Sequence, residues 1–156
     1  MPTKPEPSGA VKLSAAEHGD VGALVALRIE AMRESLERIG RFDPVRARER
    51  FLSGFVPENT RHIIIAGERV GFAVVKEQSG ELLLDHLYVK PSFQNQGVGA
   101  AVLAQVLAEA SAQSLPVRVG ALRESASNRF YARHGFQFIE CGEFDNYYVR
   151  PSENAP

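Results

Sequence analysis

Cysteine is nearly absent from the chain: Cys141 stands alone, so no internal disulfide can form, and no Cys/His cluster suggests zinc. The four histidines, His18, His62, His86 and His134, are scattered, with no pair at metal-binding helical spacing. No apolar run approaches the length that spans a bilayer, and no hydrophobic signal region opens the chain. A positive excess is missing too. The formal net charge of -1 argues against nucleic-acid binding by bulk electrostatics. Internal repeats are lacking. These absences lead to the expectation of a soluble, cytoplasmic, metal-free domain with neither a nucleic-acid nor a membrane partner.

What is present describes an ordinary globular chain. At 156 residues there is length for one domain with a proper core and little for two. Residues 1–9, with three prolines and no periodicity, read as a mobile tail, 10–151 as a single domain, and 152–156 as a C-terminal tail. "AVKLSAA" reads as a short strand. Asp20 is expected to cap a helix whose apolar residues, Val21, Leu24, Val25, Leu27, Ile29 and Met32, recur near helical period. "GRFD" breaks that helix, and Asp43-Pro44 starts a second one ending near Phe55.

Two strands, "HIIIA" and "RVGFAVVKE", flank Gly67-Glu68 as a hairpin, and "SGE" turns into a third, "LLLDHLYV", closed by Pro91. From Gly97 onward Val98, Val102, Val106 and Ala110 fall every fourth residue, reinforced by Leu103 and Leu107. "VRVGAL" is the next strand, "SASNRFYARH" a short helix stopped by Gly135, and "FQFIECGEF" with "NYYVRP" a closing antiparallel pair. The order is β-α-α-β-β-β-α-β-α-β-β. Consecutive hairpins make this an α+β chain and not a doubly wound one.

The stretch "KPSFQNQGVGA" joins the third strand to the long helix. A helix start leaves its first N–H groups unpaired, and with the helix dipole these favour phosphate. Gly97 and Gly99 remove the side chains that would keep a ligand at a distance. A glycine-rich helix start with no ligand describes the same residues. The Walker pattern fails for want of Gly-Lys-Ser/Thr, and a dinucleotide fingerprint fails because position 102 is Val.

"VKPSFQNQGVGAAVL" resembles the pyrophosphate-binding motif of the GNAT superfamily of acyl-CoA-dependent N-acetyltransferases, Gln/Arg-x-x-Gly-x-Gly/Ala after a strand and a proline. Gln94, Gly97 and Gly99 fill its fixed positions. "NRFYARHGF" resembles that family's second motif, a short helix carrying Tyr and ending in Gly-Phe. The resemblance implies a GNAT-like fold: a mixed, mostly antiparallel sheet of about seven strands flanked by about four helices.

It also implies acetyl-CoA as cosubstrate and transfer of its acetyl group to a primary amine. The pyrophosphate would rest on the backbone of Gln94, Asn95, Gln96, Gly97, Val98, Gly99 and Ala100. The backbone N–H near Leu87 would face the thioester oxygen, and Val89 would bond the pantetheine. Many members place an Asn near the start of the second-motif helix. Ser125 holds about that place here with Asn128 one turn later, and Asn128, whose amide donates and accepts, is chosen as the cofactor contact. Tyr131 matches the tyrosine that protonates the departing thiolate; "NRFY" alone reads better as a core tyrosine, and the glycine loop beside it favours the acid. A thiol of pKa about 8.5 leaves without much help, so the acid's contribution should be modest.

Residues 83, 85, 87 and 89 share one strand face. Asp85 is the candidate general base on that ground, with a salt bridge to a neighbouring strand as the structural alternative. His86 points to the other face as a packed or capping histidine, Glu30 is a weaker base candidate, and Cys141 is expected to pack in its strand. Arg28, Glu30, Arg33, Arg41 and Asp43 surround the expected acceptor region, and their mixed signs suit a small polar substrate or a solvated helix face alike. Tyr147 and Tyr148 alternate, so one of them faces the cleft. The acceptor is expected to be a small molecule or metabolite. The alternatives are a protein or peptide acceptor and a CoA-binding module without turnover. A homodimer is the other expected partner.

Overall fold

The computed structural model describes residues 10–38, 40 and 43–152. The expected tails at 1–9 and from 153 on, and Arg41, lie outside the described residues. Strand β1 (Val11–Ala15) is followed by a 3-10 turn and α1 (Val21–Arg38), then α2 (Pro44–Gly54). Next come β2 (Thr60–Ile65), β3 (Glu68–Gln78) and β4 (Glu81–Val89). Helix α3 (Val98–Ala112), β5 (Val117–Leu122), α4 (Ser127–Arg133), β6 (Gln137–Cys141) and β7 (Asp145–Arg150) complete the chain. The seven strands form one mixed sheet in the order β1-β2-β3-β4-β5-β7-β6, with β5 parallel to β4. Every expected helix and strand is present, in the expected order.

Local chemistry accounts for the connections. The β2–β3 loop is Ala66–Gly67 and the β3–β4 loop is Ser79–Gly80, and all four residues have positive φ. Two-residue loops of that conformation twist with their strands, which fixes both hairpins and their registers. Asp43 caps α2 by accepting from the Arg46 N–H at 3.2 Å, with Pro44 as the first helical residue. Gly135, at φ 86°, ends α4, and the Phe136 N–H returns to the Tyr131 carbonyl at 3.1 Å.

The chain divides into two compact units. The first comprises the residues up to Val74 together with His86–Ala104, and the second Val75–Asp85 with the residues from Gln105 on. In the first, α1 and α2 bury Leu24, Val25, Leu27 and Phe51 with Phe72 and Val74 of β3, and Tyr88 of β4 packs against that cluster. In the second, Val117, Val119 and Ala121 are the buried residues of β5, whose full length pairs antiparallel with β7. On α3, Val98, Val102, Leu103, Val106 and Ala110 are buried as the four-residue repeat requires.

Asp20 departs from its expected role. It ends the 3-10 turn before α1, and its carboxylate accepts from the Glu17 N–H at 2.9 Å. His62 Nε2 lies 2.9 Å from the same carboxylate and Arg69 donates to its other oxygen at 3.1 Å. The His62 hydrogen bond, then that of Glu17, with Arg69's charge adding, lowers the Asp20 carboxyl to about 2 against the opposing effect of burial. A buried histidine on β2 therefore competes for the side chain that spacing alone assigned to a cap.

Cys141 is a second correction: it is exposed. All five residues of β6, the edge strand beyond β7, are exposed. Among the described residues no helix is long and apolar enough to cross a membrane, and no group of three or more His, Cys, Asp or Glu could hold a metal ion.

Candidate active site

The first unit contains the glycine loop. Pro91–Phe93 forms a 3-10 turn, and left-handed backbone at Asn95 (φ 62°) and Gly97 (φ 81°) then reverses the chain into α3. Two glutamines brace the loop against its own strand end. Gln94 Nε2 donates to the Val89 carbonyl at 2.8 Å, and Gln96 Nε2 to the Ser92 carbonyl at 2.9 Å. A fifteen-residue helix whose start is reached through Gly97-Val98-Gly99 presents its unpaired N–H groups at a glycine-lined turn, which suits a pyrophosphate.

The end of β4 is held close to β3. The Lys90 N–H donates to the Val70 carbonyl at 2.8 Å, and a Cβ at Gly71 would run into the Tyr88 carbonyl oxygen. The side chains of His86 and Tyr88 meet as alternation requires, with His86 Nδ1 3.1 Å from the Tyr88 hydroxyl. Phe51 and Phe72 pack their rings on His86 at 5.8 and 6.5 Å. His86 is thus a packed histidine. Arg28 reaches from α1, with its guanidinium carbon 5.8 Å from the Tyr88 ring centroid and its Nη1 donating to the Ala47 carbonyl of α2 at 3.2 Å.

The other charged candidates of the helical layer are placed differently. Arg33 pairs with Glu37 at 3.0 Å, Glu30 is exposed, and Asp43 is occupied as the α2 cap.

The second unit contains Asp85, Ser125, Asn128 and Tyr131. Asp85 pairs with Lys76 of β3 at 3.1 Å, the salt bridge anticipated as its structural alternative. The parallel β4–β5 register runs from Leu82–Val117 to Leu84–Val119, while β4 itself continues to Val89. Tyr131 is 5% exposed, with Phe130 and Phe136 rings at 5.3 and 5.4 Å.

Asn128 is committed to the fold. Its Nδ2 donates to the carbonyls of Leu122 and Ser125 at 3.0 and 2.9 Å. Its Oδ1 accepts from Asn146 at 2.9 Å and from the Tyr148 hydroxyl at 2.8 Å. These four bonds use both donors and both lone pairs of the amide. Ser125 Oγ, one turn earlier, is buried with no hydrogen-bond partner among the described residues. Tyr148 is the buried member of the tyrosine pair, and the ring of Tyr147 lies against Gly120 and Gly142.

Residues 59–138, just over half of the chain, match the sequence profile described as the acetyltransferase (GNAT) domain. The chain belongs to the GNAT family. No curated protein sequence matches this GNAT chain at a significant level. Solved structures do. The PaiA N-acetyltransferase from Thermoplasma acidophilum, in complex with coenzyme A, superposes with a TM-score of 0.71 at 14% identity, covering 91% of this chain and 99% of that one. N-acetylglutamate synthase from Neisseria gonorrhoeae, complexed with coenzyme A and N-acetyl-glutamate, gives 0.66 at 18% identity over 95% of this chain and 36% of that one. The ribosomal-protein-S18-alanine N-acetyltransferase from Escherichia coli gives 0.65 at 18% identity, covering 94% and 97%. This GNAT protein is an acetyl-CoA-dependent acetyltransferase with the α+β fold of those structures.

Sequence reasoning passed over Gly71, Phe51 and Tyr88 altogether. Gly71 inside a β-like run was the available signal, since a strand glycine marks a bulge or a close backbone approach. The β2–β3 register does shift between Ile63 and Ile64, opposite Gly71 and Arg69.

Proposed function

We propose that this GNAT enzyme transfers the acetyl group of acetyl-CoA to the primary amine of a small molecule or metabolite. The observation that carries the small-acceptor reading is the cover over the end of β4. Arg28 of α1 bonds Ala47 of α2 above the Tyr88 ring, and Phe51 closes on His86 beside it. A covered strand end favours a compact acceptor over an extended peptide.

The thioester supplies an activated acetyl group, and the chain has to bind it, free the amine of its proton and assist departure of the thiolate. The backbone from Gln94 to Ala100 is proposed to hold the pyrophosphate, as its left-handed turns and helix start support. Leu87 N–H would donate to the thioester oxygen, and Val89 would bond the pantetheine through its N–H, its carbonyl being taken by Gln94. Asn128's saturated amide and Ser125's unpartnered hydroxyl favour Ser125 as the side chain that meets the cofactor. Tyr131 would protonate the thiolate. Asp85 would take the amine proton directly or through water, giving up its charge pairing with Lys76 while it is protonated. β6, an edge strand with Phe138 and Ile139 exposed, supports pairing with a second copy, to be read by sedimentation.

Release of free thiol from acetyl-CoA, screened against amino acids, polyamines, aminoglycosides and peptides, tests the proposal. Turnover of small amines is the expected result. Turnover of peptides alone would move the acceptor to proteins, the case of the similarly folded ribosomal-protein-S18-alanine enzyme.

A further inference from the structure

Arg28 is a half-buried cation of the first unit that the described residues around it leave short of partners. A guanidinium has five N–H donors. Nη1 of Arg28 reaches the Ala47 carbonyl, while Nε is buried and meets no acceptor among the described residues. No carboxylate pairs with it among those residues. Of the acids nearby in sequence whose side chains the structure describes, Glu37 holds Arg33, Asp43 caps α2, and Glu30 is exposed. A charge partly removed from water without a counter-charge carries a cost, and the Tyr88 ring face offsets only part of that. An anion is the missing partner.

Where that anion would come from follows from what Arg28 covers. Tyr88 lies between Leu87 and Val89, whose backbone the proposed function assigns to the thioester and the pantetheine. The neighbouring helix α2 carries Arg46, Arg48 and Arg50 against the single acid Glu49, a field that attracts anions and repels polyamines.

We propose that Arg28 anchors the carboxylate of the acceptor, so that the amine acetylated by this enzyme belongs to an amino acid. The planar fork of the guanidinium matches a carboxylate bidentately. An α-amino acid held that way presents its amine one carbon from the anchor, beside the strand end that receives the thioester. The inference rests on the acetyltransferase reading and adds the class of the acceptor.

The experiment compares steady-state acetylation of the L-amino acids, their α-amides and spermidine by wild type, Arg28→Gln and Arg28→Lys. Turnover is expected with acids, and kcat/KM for the matching amides is expected to fall by about tenfold or more. Arg28→Gln should raise KM for the preferred acid by about tenfold while KM for acetyl-CoA holds. Arg28→Lys should restore part of the loss, and melting temperatures establish that both variants fold. Amides or spermidine serving as well as the acids would overturn the inference and leave the transferase reading intact. So would an Arg28→Gln loss shared equally by acids and amides. If no amine is turned over, the small-amine reading itself fails. Arg28 is then judged by the melting shift that millimolar N-acetyl-amino acids produce in wild type and Arg28→Gln, and equal shifts, or none, overturn the inference as well.

Discussion

The carbonyl oxygen of Tyr88 occupies the space that a side chain at Gly71 would need. A Cβ there would also come within 3.1 Å of the Val89 Cα and of Ile63 Cδ1, so backbone as well as a side chain stands in its way. Gly71→Ala is expected to push the end of β4 outward. The cost should be about 1–3 kcal/mol, the usual range for overpacking a tight interior. Urea denaturation reads the stability and calorimetry reads acetyl-CoA affinity, which should weaken with it. A variant as stable as wild type, with full affinity, would mean the strand end is free to shift.

The Asp20 carboxyl gives a signed pH dependence. Its pKa falls from 3.8 to about 2 in the folded chain, chiefly through the His62 hydrogen bond. A depressed carboxyl contributes stability that is complete above the unfolded value and disappears as pH falls through the folded one. Stability should therefore drop between about pH 4 and pH 2, and Asp20→Asn should flatten that part of the curve. Equal slopes for both proteins in acid denaturation would assign the acid loss to other groups.

Gly97 has a φ of 81°, a conformation a β-branched residue resists. Gly97→Val should strain the turn by about 1–2 kcal/mol and place methyl groups at the helix start. Acetyl-CoA affinity measured by calorimetry should fall severely while the far-UV spectrum is kept. Wild-type affinity in the folded variant would make the turn a plain helix start.

The proposed acid and base separate by what each variant spares. Tyr131→Phe keeps the ring between Phe130 and Phe136, so CoA affinity should hold. Turnover should fall by up to about a hundredfold, the low end for positioned acids, because a thiol leaves readily. Asp85→Asn should depress the rate most near neutral pH and least at alkaline pH, where more amine is already deprotonated. Unchanged turnover for Tyr131→Phe would reduce it to packing. A pH–rate profile lowered equally throughout would confine Asp85 to its ion pair with Lys76.

Asn128 and Ser125 should divide stability from binding. Asn128→Ala leaves its partners Asn146 and Tyr148 without their acceptor and should cost about 1–3 kcal/mol. Ser125→Ala should leave the urea midpoint alone and weaken CoA binding. The reverse assignment of effects would restore Asn128 as the cofactor contact.

Contacts within about four residues were legible in the sequence, and they carried most of the fold. Valines every fourth position marked α3, Ser79–Gly80 closed a hairpin, Gly135 stopped α4, and the spacing of Gln94, Gly97 and Gly99 with Tyr131 downstream pointed to the GNAT family. Such signals are local because helix periods, turn conformations and strand alternation are set by near neighbours. Partners far along the chain were another matter. Asp20 serves His62, 42 residues away, and Asn128 serves Asn146 and Tyr148, which no local pattern announces. Cys141 is exposed on β6, at the edge of the sheet, and Arg28 covers Tyr88 because α1 packs over β3 and β4 in the first unit. Strand order and register decide those pairings, and they arise from burial of the whole apolar set at once. The resemblance carried by two short motifs therefore marked the family and its loop, while tertiary packing decided which polar side chains were spent on the fold.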